Sequence, residues 1–412
     1  MPLVAPFRGL RFNPGRVPTL SAVVTPPYDV ISREQQQKFY RRHRYNFIRI
    51  VFGKPQGSDT RQRNPYSRAR RTLESWVRQN VMRFDEEPSL YPYRQRYRLN
   101  GKSCERWGLI GLVRLDSPNV YPHEETRPKP KLDRLRLLES LQASLSPVFG
   151  LIRDFRGSYR ERILSACRGR RPIGEALLDE VRHTLWKVSD PAWIRSACRY
   201  LAGQELYIGD GHHRFEAAVD YRDARRAKDP CYTPSSPYNF SLFYLAAVER
   251  EEPGLLPTHR VISGLSDGAI QGFTGRLSEK HRCRVVRTGM EGMVRQLSRL
   301  RKGGKVAVGF YSADAGRYIL EPDRSPSYRM DVEWLHGELL KKQIASGAQV
   351  AFTQDLQEAV RLVRQRKAQA LFVMQPVRLE EVFSRARSGV RMPGKTTYFY
   401  PKVLAGWVEY KF

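Results

Sequence analysis

The chain has 412 residues, enough for two or three domains, and its 41% hydrophobic and 11% aromatic content fits a globular protein with real cores. A net charge of +30, from 72 Lys and Arg against 42 Asp and Glu, favours anionic partners, nucleotide or nucleic acid, with the basic residues spread along the chain. Five scattered cysteines with no CxxC or Cys/His spacing argue against a zinc module and for reduced thiols in a cytoplasmic protein. The first ten residues do not read as a signal peptide, and no apolar run is long enough to span a bilayer, so no membrane partner is expected.

Val4 to Phe12 reads as an edge strand broken by Pro6 and Gly9. Pro26 and Pro27 stiffen a turn that presents Tyr28 and Asp29, and Ser32 caps a helix from Arg33. Tyr45 to Gly53 reads as a strand, 65–80 as an amphipathic helix, and 90–93 and 107–113 as antiparallel strands. A dense polar patch follows. His123, Glu124, Glu125, Thr126, Arg127, Lys129 and Lys131 precede a helix from Leu132, a combination able to seat a phosphate with its metal or simply to be solvated. Val148 to Ile152 is a buried strand ending near Asp154.

The strongest chemical signal is Glu205 to Tyr221. Leu206 to Ile208 form a short apolar strand, Gly209-Asp210-Gly211 a tight turn, and His212 opens a helix whose Phe215, Ala218 and Val219 share one face. Two glycines let the backbone take positive φ or approach a ligand closely. A helix N-terminus attracts phosphate, and Arg214 in the first turn can fork two hydrogen bonds onto one. Asp210 is either an ordinary N-cap or a group that holds a metal or proton.

Phe240 to Val248 is an apolar strand, and His259 beside Arg260 is a weaker anion signal. From about residue 262 helices and strands alternate in an α/β texture, including a helix over 269–281, which suggests a second lobe. Gly389 to Thr396 matches the P-loop letters, but a helical segment precedes it and the β-favouring Thr397 to Tyr400 follows, so it is no P-loop. Lys395, Thr396 and Lys402 remain candidates to line a phosphate pocket.

Taken together these patches resemble the domain-of-unknown-function family numbered ten-fifteen, related to the ParB/sulfiredoxin fold. The resemblance rests on Pro6-Phe7-Arg8-Gly9, Pro26-Pro27-Tyr28-Asp29-Val30, His123-Glu124 with Thr126, Lys131 and Asp133-Arg134, Leu145-Ser146-Pro147, Asp210-Gly211-His212-His213-Arg214, Leu256-Pro257-Thr258-His259-Arg260, and Met392-Pro393 with Lys395 and Tyr398-Phe399-Tyr400-Pro401-Lys402. It implies a mixed α+β fold: a ParB/sulfiredoxin-like nucleotide-binding core over 1–261 and a C-terminal α/β lobe over 262–412 that adds a lysine-bearing strand. It also implies an ATP- and Mg²⁺-dependent kinase of free L-serine making O-phosphoserine. Gly209, Gly211, His212, Arg214 and Lys395 would then bind nucleotide. Asp210 and Glu124 would hold Mg²⁺, and Asp29, Glu124, Asp210 and His213 would carry catalysis, with Asp29 and Glu124 both open as the base. Tyr28, His123, Thr126, His259 and Arg260 would contact substrate. The charge leaves a rival reading, a ParB-like nucleotide-binding regulator that binds DNA.

Overall fold

The computed structural model describes residues 3–248, 254–265, 268, 275, 281–322, 330–345 and 347–412. The helix expected over 269–281 lies outside the described residues, apart from Gly275 and His281. Contacts divide the chain into two compact units, residues 1–253 with 401–412, and residues 254–400. A division at 261/262, as the sequence suggests, would split the strand His259–Ser263 in two; the chain divides before that strand instead, and its last twelve residues return to the first unit.

The first unit is built on a nine-stranded mixed sheet. Its strands are β1 (Val4–Ala5), β4 (Tyr91–Leu99), β5 (Lys102–Arg114), β6 (Val120–Tyr121), β8 (Val148–Arg153), β9 (Gly174–Leu178), β10 (Val181–Leu185), β11 (Leu206–Asp210) and β12 (Phe240–Val248). The order is β6-β11-β8-β12-β5-β4-β10-β9, with β1 also on β5. Two short strands, β2 (Leu10–Phe12) and β3 (Met82–Phe84), pair with each other, and β7 (Ala143–Ser144) pairs with Tyr410–Lys411. β12 pairs with β5 and β8 on its two edges, and it runs as one apolar stretch because both of its faces are covered, with every residue but Ala247 buried.

Among the described residues this unit has seven α-helices: α1 (Arg33–Arg42), α2 (Ile48–Val51), α3 (Pro65–Arg78), α4 (Pro128–Leu141), α5 (Ser158–Cys167), α6 (Pro191–Ala202) and α7 (His212–Arg226). Ser32 caps α1 through the Gln35 amide, and Gln35 returns a bond to the Ser32 N–H. One core gathers Leu109, Val148, Ile152, Leu206, Ile208, Phe215 and Phe243 between sheet and helices. A second joins Phe12, Phe47, Ile50 and Leu73 to Leu137 and Leu141 of α4.

One expected strand, 45–53, is instead the short helix α2. The Asn46 side chain accepts from the Ile48 N–H and donates to the Ala22 carbonyl, which fixes a turn there. The apolar run then buries as a helix, a choice that periodicity cannot make over so few residues. The helix expected from Leu132 starts earlier, at Pro128, a favoured first helical position.

In the second unit a six-stranded antiparallel sheet runs in the order His281–Val285, Gly316–Pro322, Val308–Ser312, Ala370–Val373, His259–Ser263, Gln349–Thr353. Helices Gly289–Lys302 and Leu356–Arg364 give Met293, Leu297, Ala359 and Val363 to its core. The P-loop letters follow the helix Leu379–Arg387 and lead into the strand Tyr398–Phe399, so the secondary structure on both sides differs from that of a P-loop.

Candidate functional site

The Gly209 to Arg214 turn joins β11 to α7 as the sequence pattern predicts. β11 lies between β8 and β6, and its register on β8 shifts between Ile208 and Asp210, a bulge that puts Gly209 out of step. A side chain at Gly209 would meet Phe149 at 3.1 Å and Leu151 at 3.2 Å. Gly211 is left-handed at φ +91° and stands at the N-cap of α7, with no side chain to cap the helix. The first turn of α7 therefore has no side-chain cap, and the positive end of its dipole lies at this turn.

The polar patch 122–131, ninety residues away in sequence, lies along that helix. The His123 N–H donates to His212 Nε2 at 3.3 Å, and the Arg127 N–H donates to His213 Nε2 at 3.0 Å. The Thr126 hydroxyl donates to Glu216, and Lys131 pairs with Asp220 at 2.9 Å. Partners at 212, 213, 216 and 220 follow one helical stripe. An accepting Nε2 carries no proton, so these bonds place the ring N–H of each histidine on Nδ1. The rings of His123 and His212 meet edge to face at 4.6 Å, and both residues are buried. Glu124, between these contacts, is only 8% exposed.

Asp210 is held between two cations. Its Oδ2 accepts from Arg214 Nη2 at 2.7 Å and its Oδ1 from Lys402 Nζ. The same guanidinium donates through Nη1 to the carbonyls of Ser146 (2.9 Å) and Pro147 (2.5 Å). Those carbonyls sit in a loop where Ser146 has φ +62° and its N–H donates to Glu409 Oε2 at 3.0 Å. Glu409 is fully buried and also accepts from the Gly406 N–H at 2.7 Å. Burial pushes its carboxyl up to about 8 despite these donors. The returning tail thus supplies Lys402 to the aspartate directly and steadies Arg214 through Ser146.

Tyr28 and Asp29 sit in a short 3₁₀ turn after Pro27. The Arg134 guanidinium stacks on the Tyr28 ring at 3.7 Å. Arg134 also donates from Nε to Asp133 at 2.9 Å and to the Val51 carbonyl at 2.9 Å. Burial pushes the Tyr28 phenol up to about 12, opposed by Arg134 and, more weakly, by Arg214, so it stays a hydrogen-bond donor at neutral pH. Asp29 is exposed. A cavity of about 40 Å³ lies between α4 and α7, bordered by Arg134, Leu138, Ser144, Arg214, Ala218 and Ser241. The fold thus brings Tyr28, Asp29, His123, Glu124, Thr126 and the 209–214 turn into one unit.

His259, Arg260 and Lys395 belong to the second unit. His259 is 3% exposed, accepts from the Met374 N–H at 3.1 Å through Nδ1, and is held down to about 4 by burial and by Arg260. Arg260 is 1% exposed and donates to the carbonyls of Thr258 and Lys395 and to His336. Lys395 is left-handed at φ +63°.

A resident Mg²⁺ does not fit Asp210, whose two oxygens both face cations. Among the described residues no three His, Cys, Asp or Glu side chains gather as a metal site. Sequence reasoning gave Lys402 less weight than Lys395, counted Arg134 among the residues of the family resemblance without a role in the site, and missed Glu216. The Tyr-Phe-Tyr-Pro-Lys run ending at Lys402 was the available signal for that lysine, and Asp133-Arg134 stands in the family pattern; nothing local marks Glu216.

The profile of the family described as "Protein of unknown function (DUF1015)" matches residues 4–350. No curated protein matches the chain. Among solved structures, a free serine kinase in complex with AMP is similar at 11% identity and TM-score 0.39, over 70% of this chain and 86% of that one. A conserved hypothetical protein from Pyrococcus furiosus is similar at 12% and 0.38, over 71% and 92%. SbnI with a C-terminal truncation, from Staphylococcus aureus, is similar at 14% and 0.35, over 72% and 85%.

Proposed function

This chain belongs to the DUF1015 family of proteins of unknown function, and from its first unit we propose a cytoplasmic small-molecule kinase that transfers the γ-phosphoryl group of ATP to the hydroxyl of free L-serine, with a ParB/sulfiredoxin-like core as its nucleotide-binding part. The observation that carries this reading is the capless, glycine-opened N-terminus of α7, with His212, His213 and Arg214 in its first turn and the His123–Lys131 segment laid along it. Phosphoryl transfer asks for positioning and charge neutralisation more than for covalent chemistry. Helix N–H groups supply donors for phosphate oxygens, and Arg214, whose Nη1 and Nη2 already hold Ser146, Pro147 and Asp210, adds its positive charge beside them. The divalent ion is read as arriving on the nucleotide, as part of the MgATP substrate.

In the proposed step the serine hydroxyl oxygen bonds to the γ-phosphorus as the bond to the β,γ-bridging oxygen breaks. ADP leaves, and the hydroxyl proton passes to a carboxylate. Asp29 and Glu124 are the two candidate bases. Asp29 is open to solvent and Glu124 is nearly closed off from it. Tyr28, His123 and Thr126 are the proposed substrate contacts.

Phosphorus NMR of the full chain with MgATP and a panel of free amino acids and small alcohols tests the reading. O-phosphoserine is the expected product. Replacing the true base, by Asp29→Asn or Glu124→Gln, is expected to slow transfer by roughly a hundredfold to ten-thousandfold, with an unchanged melting curve. If no acceptor is phosphorylated while nucleotide still binds, the kinase reading fails.

A further inference from the structure

The basic residues read as spread along the chain, but one stretch concentrates them. Residues 33–71 contain twelve Lys or Arg and two Asp or Glu, a net +10 of the chain's +30 in 39 of its 412 residues. They form α1, α2, the loop between α2 and α3, and the start of α3. Arg41, Arg42, Arg44, Arg61, Arg63 and Arg71 are all exposed. The ion pairs of this stretch among the described residues are Lys38–Glu34, Arg68–Asp59 and Arg70–Glu74, so those six guanidinium groups are not neutralised by a neighbouring carboxylate.

Hydrogen bonds tie α1, α2, the loop between α2 and α3, and α3 to one another. Arg49 donates to the carbonyls of Arg44 (2.9 Å) and Tyr40 (2.8 Å). The Lys54 N–H donates to the Tyr40 hydroxyl at 3.0 Å, and Arg68 donates to the Lys54 carbonyl at 2.7 Å. Aromatic rings sit beneath the cations: Tyr40 carries Arg49 at 4.6 Å and Lys54 at 4.5 Å, and Tyr45 carries Arg44 at 4.6 Å. A guanidinium stacked on a ring still offers N–H groups to phosphate at its edge and a flat face to a base.

We propose that the α1–α3 face of this protein binds the phosphate backbone of a nucleic acid without base-sequence preference. An anionic membrane shares the attraction to positive charge, but surface binding to lipid also needs apolar side chains to enter the headgroup region. The large hydrophobic residues exposed among the described residues include Phe84, Leu132 and Phe155, and none lies in 33–71. Charge with stacked aromatic rings and no apolar wedge suits nucleic acid. This inference is separate from the kinase reading and stands whether or not transfer is observed.

Fluorescence anisotropy of the full chain with labelled single-stranded RNA, single-stranded DNA and duplex DNA of mixed sequence tests it, across about 50 to 200 mM salt. The dissociation constant is expected near about 1–100 µM at ~100 mM salt, with log affinity falling against log salt at a slope of about −4. The three ligands separate a single-strand preference from a duplex one. The triple variant Arg41→Ala, Arg42→Ala, Arg44→Ala is expected to weaken binding about tenfold or more and to flatten the slope by about 3. Arg168→Ala, Arg170→Ala, Arg171→Ala removes equal charge from another exposed stretch and is expected to leave affinity within about twofold. Equal loss in both triple variants, no binding at low salt, or capture by phosphatidylserine vesicles with no binding to nucleic acid would each overturn the proposal. Matching melting curves of the two variants establish that lost binding is not lost folding.

Discussion

Asp210 shows how one side chain's surroundings limit what it can do. With Lys402 and Arg214 on its two oxygens, its negative charge is what lets two cations share a small, largely buried space. Remove it and they face each other without a counter-ion. Breaking a buried ion pair from one side costs about 3 to 5 kcal/mol, so Asp210→Ala is expected to destabilise the fold by about 3 kcal/mol or more in denaturant titrations. Lys402→Met leaves Asp210 paired with Arg214 and is expected to cost less than half as much. The order of the two losses is the test: equal and negligible losses, with transfer abolished only in Asp210→Ala, would make the aspartate a reaction group and not an organiser of cations. For that reason activity lost in Asp210→Ala says little alone, and Asp29 and Glu124 are the better probes of chemistry.

At the scale of the element, the junction between β11 and α7 depends on Gly211. At φ +91° any L side chain is strained by about 1 to 2 kcal/mol, and a Cβ there would stand 2.8 Å from Arg214 Nη2. That guanidinium cannot swing aside freely, because Asp210 and the carbonyls of Ser146 and Pro147 hold it. Gly211→Ala is expected to lower stability by about 2 kcal/mol and to weaken ATP binding at least tenfold, read by thermal unfolding and by calorimetric titration. This junction was legible because its signals are local: an apolar run, two glycines, then helical spacing. Other elements were not. The β9–β10 hairpin turns on Asp179 and Glu180, both with positive φ, where the usual sequence sign is an Asn-Gly or Asp-Gly pair. α2 follows from a bond between Asn46 and Ala22, which no window of 45–53 contains. The pairing of 123–131 with α7 joins groups some ninety residues apart; composition and periodicity read both patches as chemistry without joining them, and only the family resemblance put Glu124 and Asp210 in one site.

Across the whole molecule, buried titratable groups set opposing demands on pH. Burial holds His183 down to about 3 and His259 and His336 to about 4, so the folded chain keeps all three neutral. The unfolded chain takes up their protons as pH falls below about 6.5, so the stability they support is present above that pH and is lost as pH drops from about 6.5 toward 4. Glu409 acts in the other direction. With its folded pKa raised to about 8, it is protonated when folded and ionised when unfolded between its ordinary value near 4.5 and that point. Over this window the folded state binds the extra proton, so stability declines as pH rises. Maximum stability is therefore expected near pH 6 to 7, with melting temperature falling on both sides. Glu409→Gln should lower stability at every pH, because its amide cannot accept from both the Ser146 and Gly406 N–H groups. It should also abolish the alkaline decline between about pH 7 and 8 while leaving the acid limb in place. An alkaline limb that persists in this variant would move the proton to another group. A loss of the acid limb in the same variant would mean that the tail holding Lys402 and Ser146 governs both, and that Glu409 secures the 209–214 turn as well as the fold.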